Sequence, residues 1–232
     1  MENLHKEIRE YLKRLIHNFL YIQSLQNQLK MINDWNKPEK VQAINIGTHF
    51  FSLVIYCFHR SILIELSKYL LKNEKRSIRN FLKIACENAS IIGPTKYNKV
   101  KNGALRVPIK TEVYRKIIRR HKNLIESKED IIRRLKSIRD QYLAHSNPKF
   151  FDNPNAAFQQ YSIKNSEIDE LLEIIKNILR CHHILLLEGD VNLDTYGMNV
   201  DSVLRYILAF SKIRKDKELL KKGFRPVDYM VD

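Results

Sequence analysis

Apolar positions recur along most of this chain at the spacing of an α-helix. Ile8, Leu12, Leu15, Phe19, Ile22 and Leu29 fall at steps of three, four or seven and mark one face of a long first helix. The stretch NDWNKPEK, starting at Asn33, interrupts it. A second long helix is expected over roughly 40–72. Phe50, Phe51, Leu53, Val54, Ile55, Ile62, Leu63 and Leu66 make it so apolar that a place deep in a bundle is expected. EKRSIRNFLKIACEN, from Glu74, reads as a shorter third helix. The next segment, IIGPTKYNKVKNGALRVPI from Ile91 to Ile109, has two prolines, two glycines and no clear period, and reads as a loop or insertion.

Helix resumes after Pro108. Ser127 followed by Asp130 fits an N-cap signature, and Ile131, Leu135, Ile138 and Tyr142 form the buried stripe of a helix expected over about 128–146, closed by Pro148 and Pro154. Ser166 and Asp169 repeat the capping pattern. Ile168, Leu171, Leu172, Ile175, Ile178 and Leu179 then supply a second strong stripe that ends at Gly189. A last helix is expected over about 199–222. With only six glycines and six prolines in 232 residues, the chain has few turn formers. The expected fold is an all-α bundle of long antiparallel helices over residues 1–190, with a C-terminal helical extension, 191–232, packed on the same body.

Charge changes the picture. A net charge of +15 suits a polyanionic partner, nucleic acid first. Between Lys96 and Asp140 there are fifteen Lys or Arg against five Asp or Glu, so the excess is concentrated. That segment holds RRHK (Arg119, Arg120, Lys122) and RRLK (Arg133, Arg134, Lys136), the expected RNA-binding residues, although a solvated helix face would look the same. Tyr97, Tyr114 and Tyr142 are interleaved and would either stack on unpaired bases or complete a core. A second basic cluster runs from Lys212 to Arg225.

Cys57, Cys86 and Cys181 are odd in number and widely spaced, which excludes a full disulfide framework and a CxxC clamp and fits a reducing cytoplasm. MENLHKEIREYLKRL carries charges through its first turns, unlike a signal peptide. No membrane contact is expected, because the run FFSLVIYCFHRSILIEL is broken by His59 and Arg60. Cys181, His182 and His183 are consecutive, so on a helix they diverge and make a poor metal site. There is no P-loop, dinucleotide fingerprint, nucleophile elbow or paired-carboxylate motif, and neither a cofactor nor a metal is expected.

The stretch IRDQYLAHSNP, from Ile138 to Pro148, places an Arg and a His six residues apart. Six helical steps of about 100° put them on different sides of the cylinder, about 9 Å apart along the axis. One copy clasps a phosphate poorly, whereas two copies about a twofold axis would gather two Arg and two His around one cleft.

These residues resemble the HEPN superfamily, in which a helix carries Arg, a polar residue and, three to five residues later, His. Here that is Arg139, Asp140 and His145. IYCFHRSILIELSKYLLKNEKRSIRNFLKIA ahead of RDQYLAHSNP is similar to the abortive-infection, AbiU-type branch, and the resemblance covers roughly residues 8–188. It implies a dimeric, metal-independent endoribonuclease acting as a toxin or in phage defence, with an antitoxin or other regulatory protein as a partner. By that resemblance His145 transfers the proton, Arg139 stabilises charge on the phosphorus oxygens and Asp140 orients one of them. His145 also continues the 131, 135, 138, 142 stripe, as a core histidine would. The alternative is a non-catalytic helical module that binds nucleic acid or another protein.

Overall fold

The computed structural model describes residues 2–33, 38–100, 103–140, 161–187, 190–193, 200–215 and 221–223. The fold is all-α with one small hairpin. In order, the described elements are α1 (Glu2–Ile32), α2 (Pro38–Ile46), α3 (Thr48–Leu70), α4 (Ile78–Glu87), α5 (Ala89–Ile92), β1 (Thr95–Val100), β2 (Gly103–Pro108), α6 (Thr111–Glu126), α7 (Glu129–Ile138), α8 (Asn165–Leu186) and α9 (Val200–Lys215). They form two compact units, one of residues 1–23 with 63–195 and the other of residues 24–62 with 196–232. Most of the C-terminal segment from 191 onward thus groups with 24–62, a stretch that helical periodicity does not set apart.

The first unit is built from the expected stripes. Ile8, Leu12, Leu15 and Phe19 of α1 are buried, as are Leu63, Leu66 and Leu70 of α3 and Ile78, Phe81, Leu82 and Ala85 of α4. The fully buried Tyr69 donates its hydroxyl to the Leu15 carbonyl at 2.7 Å, which satisfies its one polar group inside the core. Ser77 caps α4, its Oγ accepting from the Asn80 N–H at 3.2 Å. In α6 the buried residues are Tyr114, Ile118, His121 and Ile125; in α7 they are Ile131, Ile132, Leu135 and Ile138. Burying one such side chain contributes about 1.5–3 kcal/mol, so removing a four-residue stripe costs about as much as a domain's whole net stability.

Residues 91–109 depart from the loop expectation. After Gly93, which ends α5 in the left-handed region at φ 58°, the chain forms an antiparallel hairpin with Thr95 opposite Pro108 and Val100 opposite Gly103. Both strands are short and lack helical spacing, so a search for helical period passes over them. Arg106 fixes the hairpin: its Nε donates to Thr95 Oγ1 at 2.7 Å, while Nη2 and Nη1 donate to the carbonyls of Ile184 and Leu187 at 3.2 and 3.3 Å. These carbonyls belong to the end of α8, where the helix leaves acceptors without partners of its own.

Two boundaries shift. Ser127 is not an N-cap; it follows α6 in helical conformation, and its hydroxyl donates to the Leu124 carbonyl at 2.8 Å. Lys128 precedes α7 with no side-chain cap. At α8 the start lies at Asn165, with Glu167 accepting from the Lys164 N–H at 2.8 Å.

In the second unit, the expected helix over 40–72 is broken at Gly47 into α2 and α3. Its core is Ile32, Ala43, Ile44, Phe51 and Leu204, flanked by Val54, Ile55, Ile207 and Leu208. The Val200 N–H donates to Gln28 Oε1 at 2.9 Å, and Lys40 pairs with Asp201 at 2.6 Å where both are largely sheltered. The deep burial expected of α3 holds for only one of its faces: Phe51, Ile62, Leu63 and Leu66 are buried, but Phe50 is 59% and Leu53 60% exposed. By length and composition α3 is apolar enough to cross a membrane, and His59 and Arg60 do not remove it from that class.

Candidate nucleic-acid interface

Arg139 sits where the regular part of α7 ends. Its own backbone is helical, and its N–H bonds to the carbonyls of Leu135 and Lys136. Its guanidinium is only 19% exposed and is held on two sides: Nη1 bonds Glu74 at 2.7 Å, while Nε and Nη2 each bond Asp140 Oδ1 at 2.8 Å. Among the described residues three of the five N–H groups are therefore occupied, which leaves two for a phosphate. Asp140, expected to orient Arg139 or His145, bonds the Arg139 guanidinium, and it is also within 3.5 Å of Lys136 Nζ. Glu74 is a residue that sequence reasoning missed. It lies 65 positions upstream, in the connection between α3 and α4, and no local motif marks it. His145 and Tyr142 lie outside the described residues.

The six expected RNA-binding residues divide by helix. On α7, Arg133 bonds Asp130 at 2.6 Å and Lys136 faces Asp140. Arg134 has a structural task, bonding Glu167 at 2.6 Å, Asp130 at 3.2 Å and the Ser162 carbonyl, so that it ties α7 to the start of α8. Hydrogen bonding to Arg134 holds the Glu167 carboxyl below its usual range. On α6 the arrangement is opposite. Lys116, Arg119 and Arg120 are separated by three and four positions and share one face, with Asn123 a turn further on. Neither these three cations nor Lys122 makes an ion pair among the described residues. With Leu124 and Ser127, Lys116, Arg119, Arg120 and Asn123 line an open groove of about 490 Å³. Lys122 belongs to a neighbouring cleft of about 320 Å³ that also contains Lys72, Arg79 and Lys83.

The opposite face of α6 holds a buried polar chain. Tyr114 Oη lies 3.0 Å from His182 Nδ1, and His182 Nε2 lies 3.1 Å from His121 Nδ1. Phe81 packs edge-on to His182 at a centroid distance of 5.2 Å. Burial pushes the His182 imidazole down to about 3 and that of His121 to about 4, with His121 opposing His182 and Arg120 opposing His121. Burial likewise raises the Tyr114 phenol. Tyr114 is 0% exposed, so it completes the core and is no stacking platform for a base. The spacing 114, 118, 121, 125 would have placed His121 on the buried stripe; only the fold brings His182 to it. Among the described residues no three His, Cys, Asp or Glu side chains gather as metal ligands.

Comparison with protein-family models, with curated proteins and with solved structures finds no match for this chain. The family reading therefore rests on the Arg139–His145 motif and the sequence around it.

Proposed function

We propose that this chain is an RNA-binding, metal-independent endoribonuclease of HEPN type, acting in the cytoplasm as a homodimeric toxin or phage-defence effector under the control of an antitoxin or regulatory protein. The observation that carries the RNA reading is the α6 face: among the described residues its groove cations have no acidic partner, while those of α7 are spent on internal pairs. Unpaired Arg and Lys on one helical face supply the counterion-releasing contacts that phosphates need.

In the chemistry proposed, the ribose 2′-hydroxyl attacks the adjacent phosphorus, His145 accepts its proton, and the P–O bond to the 5′-oxygen breaks as that oxygen takes a proton from water. The products are a 2′,3′-cyclic phosphate and a 5′-hydroxyl. Arg139 supports this through the two N–H groups that no described residue occupies, which would bond the phosphorus oxygens as charge develops. A second copy brings a second Arg139 and His145 to the cleft. The exposed Phe50, Leu53 and Phe210 of the second unit support self-association.

One observation favours the non-catalytic alternative, a helical binding module. Two carboxylates, Glu74 and Asp140, already neutralise Arg139, as an arginine with a purely structural role would be.

Replacing Arg119 and Arg120 together with Ala is expected to weaken binding of single-stranded RNA. The slope of log affinity against log salt should fall by about 1.4, roughly 0.7 for each lost phosphate contact. Fluorescence anisotropy over a salt series measures this, and an unchanged slope removes α6 from the interface.

A further inference from the structure

We infer that a second anionic subsite, distinct from the α6 groove, lies in a cleft between α1 and the connection from α3 to α4, and that it holds two or three nucleotides of a single-stranded RNA. The inference rests on the RNA reading above and extends it. The cleft has a volume of about 560 Å³, larger than the α6 groove, and its rim carries Lys6, Arg14, Lys75 and Arg76. All four are exposed and make no ion pair among the described residues. Of the two acids in its wall, Glu10 is committed to Lys13 at 2.7 Å, a contact that lowers its carboxyl below the usual range. Glu10 also attracts Lys6 and Arg14, so two carboxylates, one of them already paired with Lys13, face four rim cations.

The wall also has a rigid aromatic. Tyr11 stands edge-on to Phe81 at 5.9 Å, and its hydroxyl lies 2.7 Å from the Lys75 carbonyl and 3.0 Å from that of Ser77. The ring is half-buried and fixed before any ligand arrives, as a stacking surface for a base requires. Leu15 closes the floor, and the Asn18 amide offers both a donor and an acceptor. Phosphates on the rim with a base against Tyr11 is the arrangement that sequence-independent binders of single strands use.

Position links this cleft to Arg139. Glu74, which holds the Arg139 guanidinium, directly precedes Lys75 and lies two positions before Arg76 in the same connection. A strand lying in the cleft passes within one residue of the group that fixes Arg139, so the connection serves both as a support for Arg139 and as a rail for the strand.

The test compares the Arg14→Ala, Arg76→Ala double variant with wild type and with the α6 double variant, using a 5′-labelled 12-nucleotide RNA and a salt series. Both arginines are exposed, and circular dichroism should show unchanged helix content. The cleft variant is expected to lose about 1.4 from the salt slope, and joining it to the α6 variant should give additive losses, as separate sites do. RNA with 4-thiouridine is expected to crosslink to Tyr11. If the cleft variant keeps the wild-type slope while the α6 variant loses its share, the cleft inference fails and the RNA reading stands. If wild type binds no RNA, both fail. A free nucleoside monophosphate that binds as tightly as the 12-nucleotide strand overturns the assignment to a strand.

Discussion

Arg139→Ala is expected to lower the rate of RNA cleavage by a factor of roughly 10² to 10³, the usual consequence of removing one preorganised donor from developing charge. Stability should change little, by about 1 kcal/mol or less, because Arg139 keeps some solvent contact and its loss leaves Glu74 and Asp140 near water. Arg139→Lys should not rescue activity. A lysine keeps the charge but cannot reach Glu74 and Asp140 while also presenting two N–H groups to a phosphate. His145→Ala should cost about 10² to 10⁴, as for loss of a general acid or base. Single-turnover cleavage measured beside thermal unfolding checks both. An Arg139→Ala protein that cuts normally but unfolds easily would make Arg139 an anchor and favour the binding-module alternative.

The second large effect concerns pH and the buried chain Tyr114–His182–His121. Both imidazoles lie below the ordinary value of 6.5 in the folded protein, His182 at about 3 and His121 at about 4. The unfolded chain therefore binds more protons than the folded one between those values and about 6.5, so stability is fully present above 6.5 and falls as pH falls through this window. His182 and His121 act in the same direction, so the decline is steeper than either imidazole alone would produce. Urea unfolding at a series of pH values from 7 to 4 should show this steep decline. A His121→Gln, His182→Gln double variant keeps polar side chains but no longer titrates, and its stability should depend much less on pH. Equal pH dependence in the variant and the wild type would remove the chain as the cause.

Much of the fold was legible because the stripes are strong and local. Ile8 to Phe19, Ile131 to Ile138 and Ile168 to Leu179 all fall on the faces that helical spacing assigns them. What escaped depended on other physics. The hairpin after Gly93 has no helical period, and it is held by Arg106 reaching carbonyls at the far end of α8. Phe50 and Leu53 are as apolar as Phe51 and Leu63, and composition alone does not tell which side of α3 is covered. In the candidate site, basicity pointed to the segment that carries the α6 groove, but charge counting treats Arg119 and Arg134 alike. Only the tertiary position of Glu167 makes one structural and leaves the other open. Glu74 and His182 escaped for the same reason, since each meets its partner across more than sixty residues of sequence.

The central claim, cleavage of RNA without a metal through Arg139 and His145, is tested most directly by incubating purified protein with end-labelled single-stranded RNA in EDTA and analysing the new termini. The expected result is cleavage that persists in EDTA, leaves 2′,3′-cyclic phosphates, and is lost in Arg139→Ala and His145→Ala proteins purified in the same way. No cleavage by wild type, or cleavage by the variants at the wild-type rate, would contradict the account.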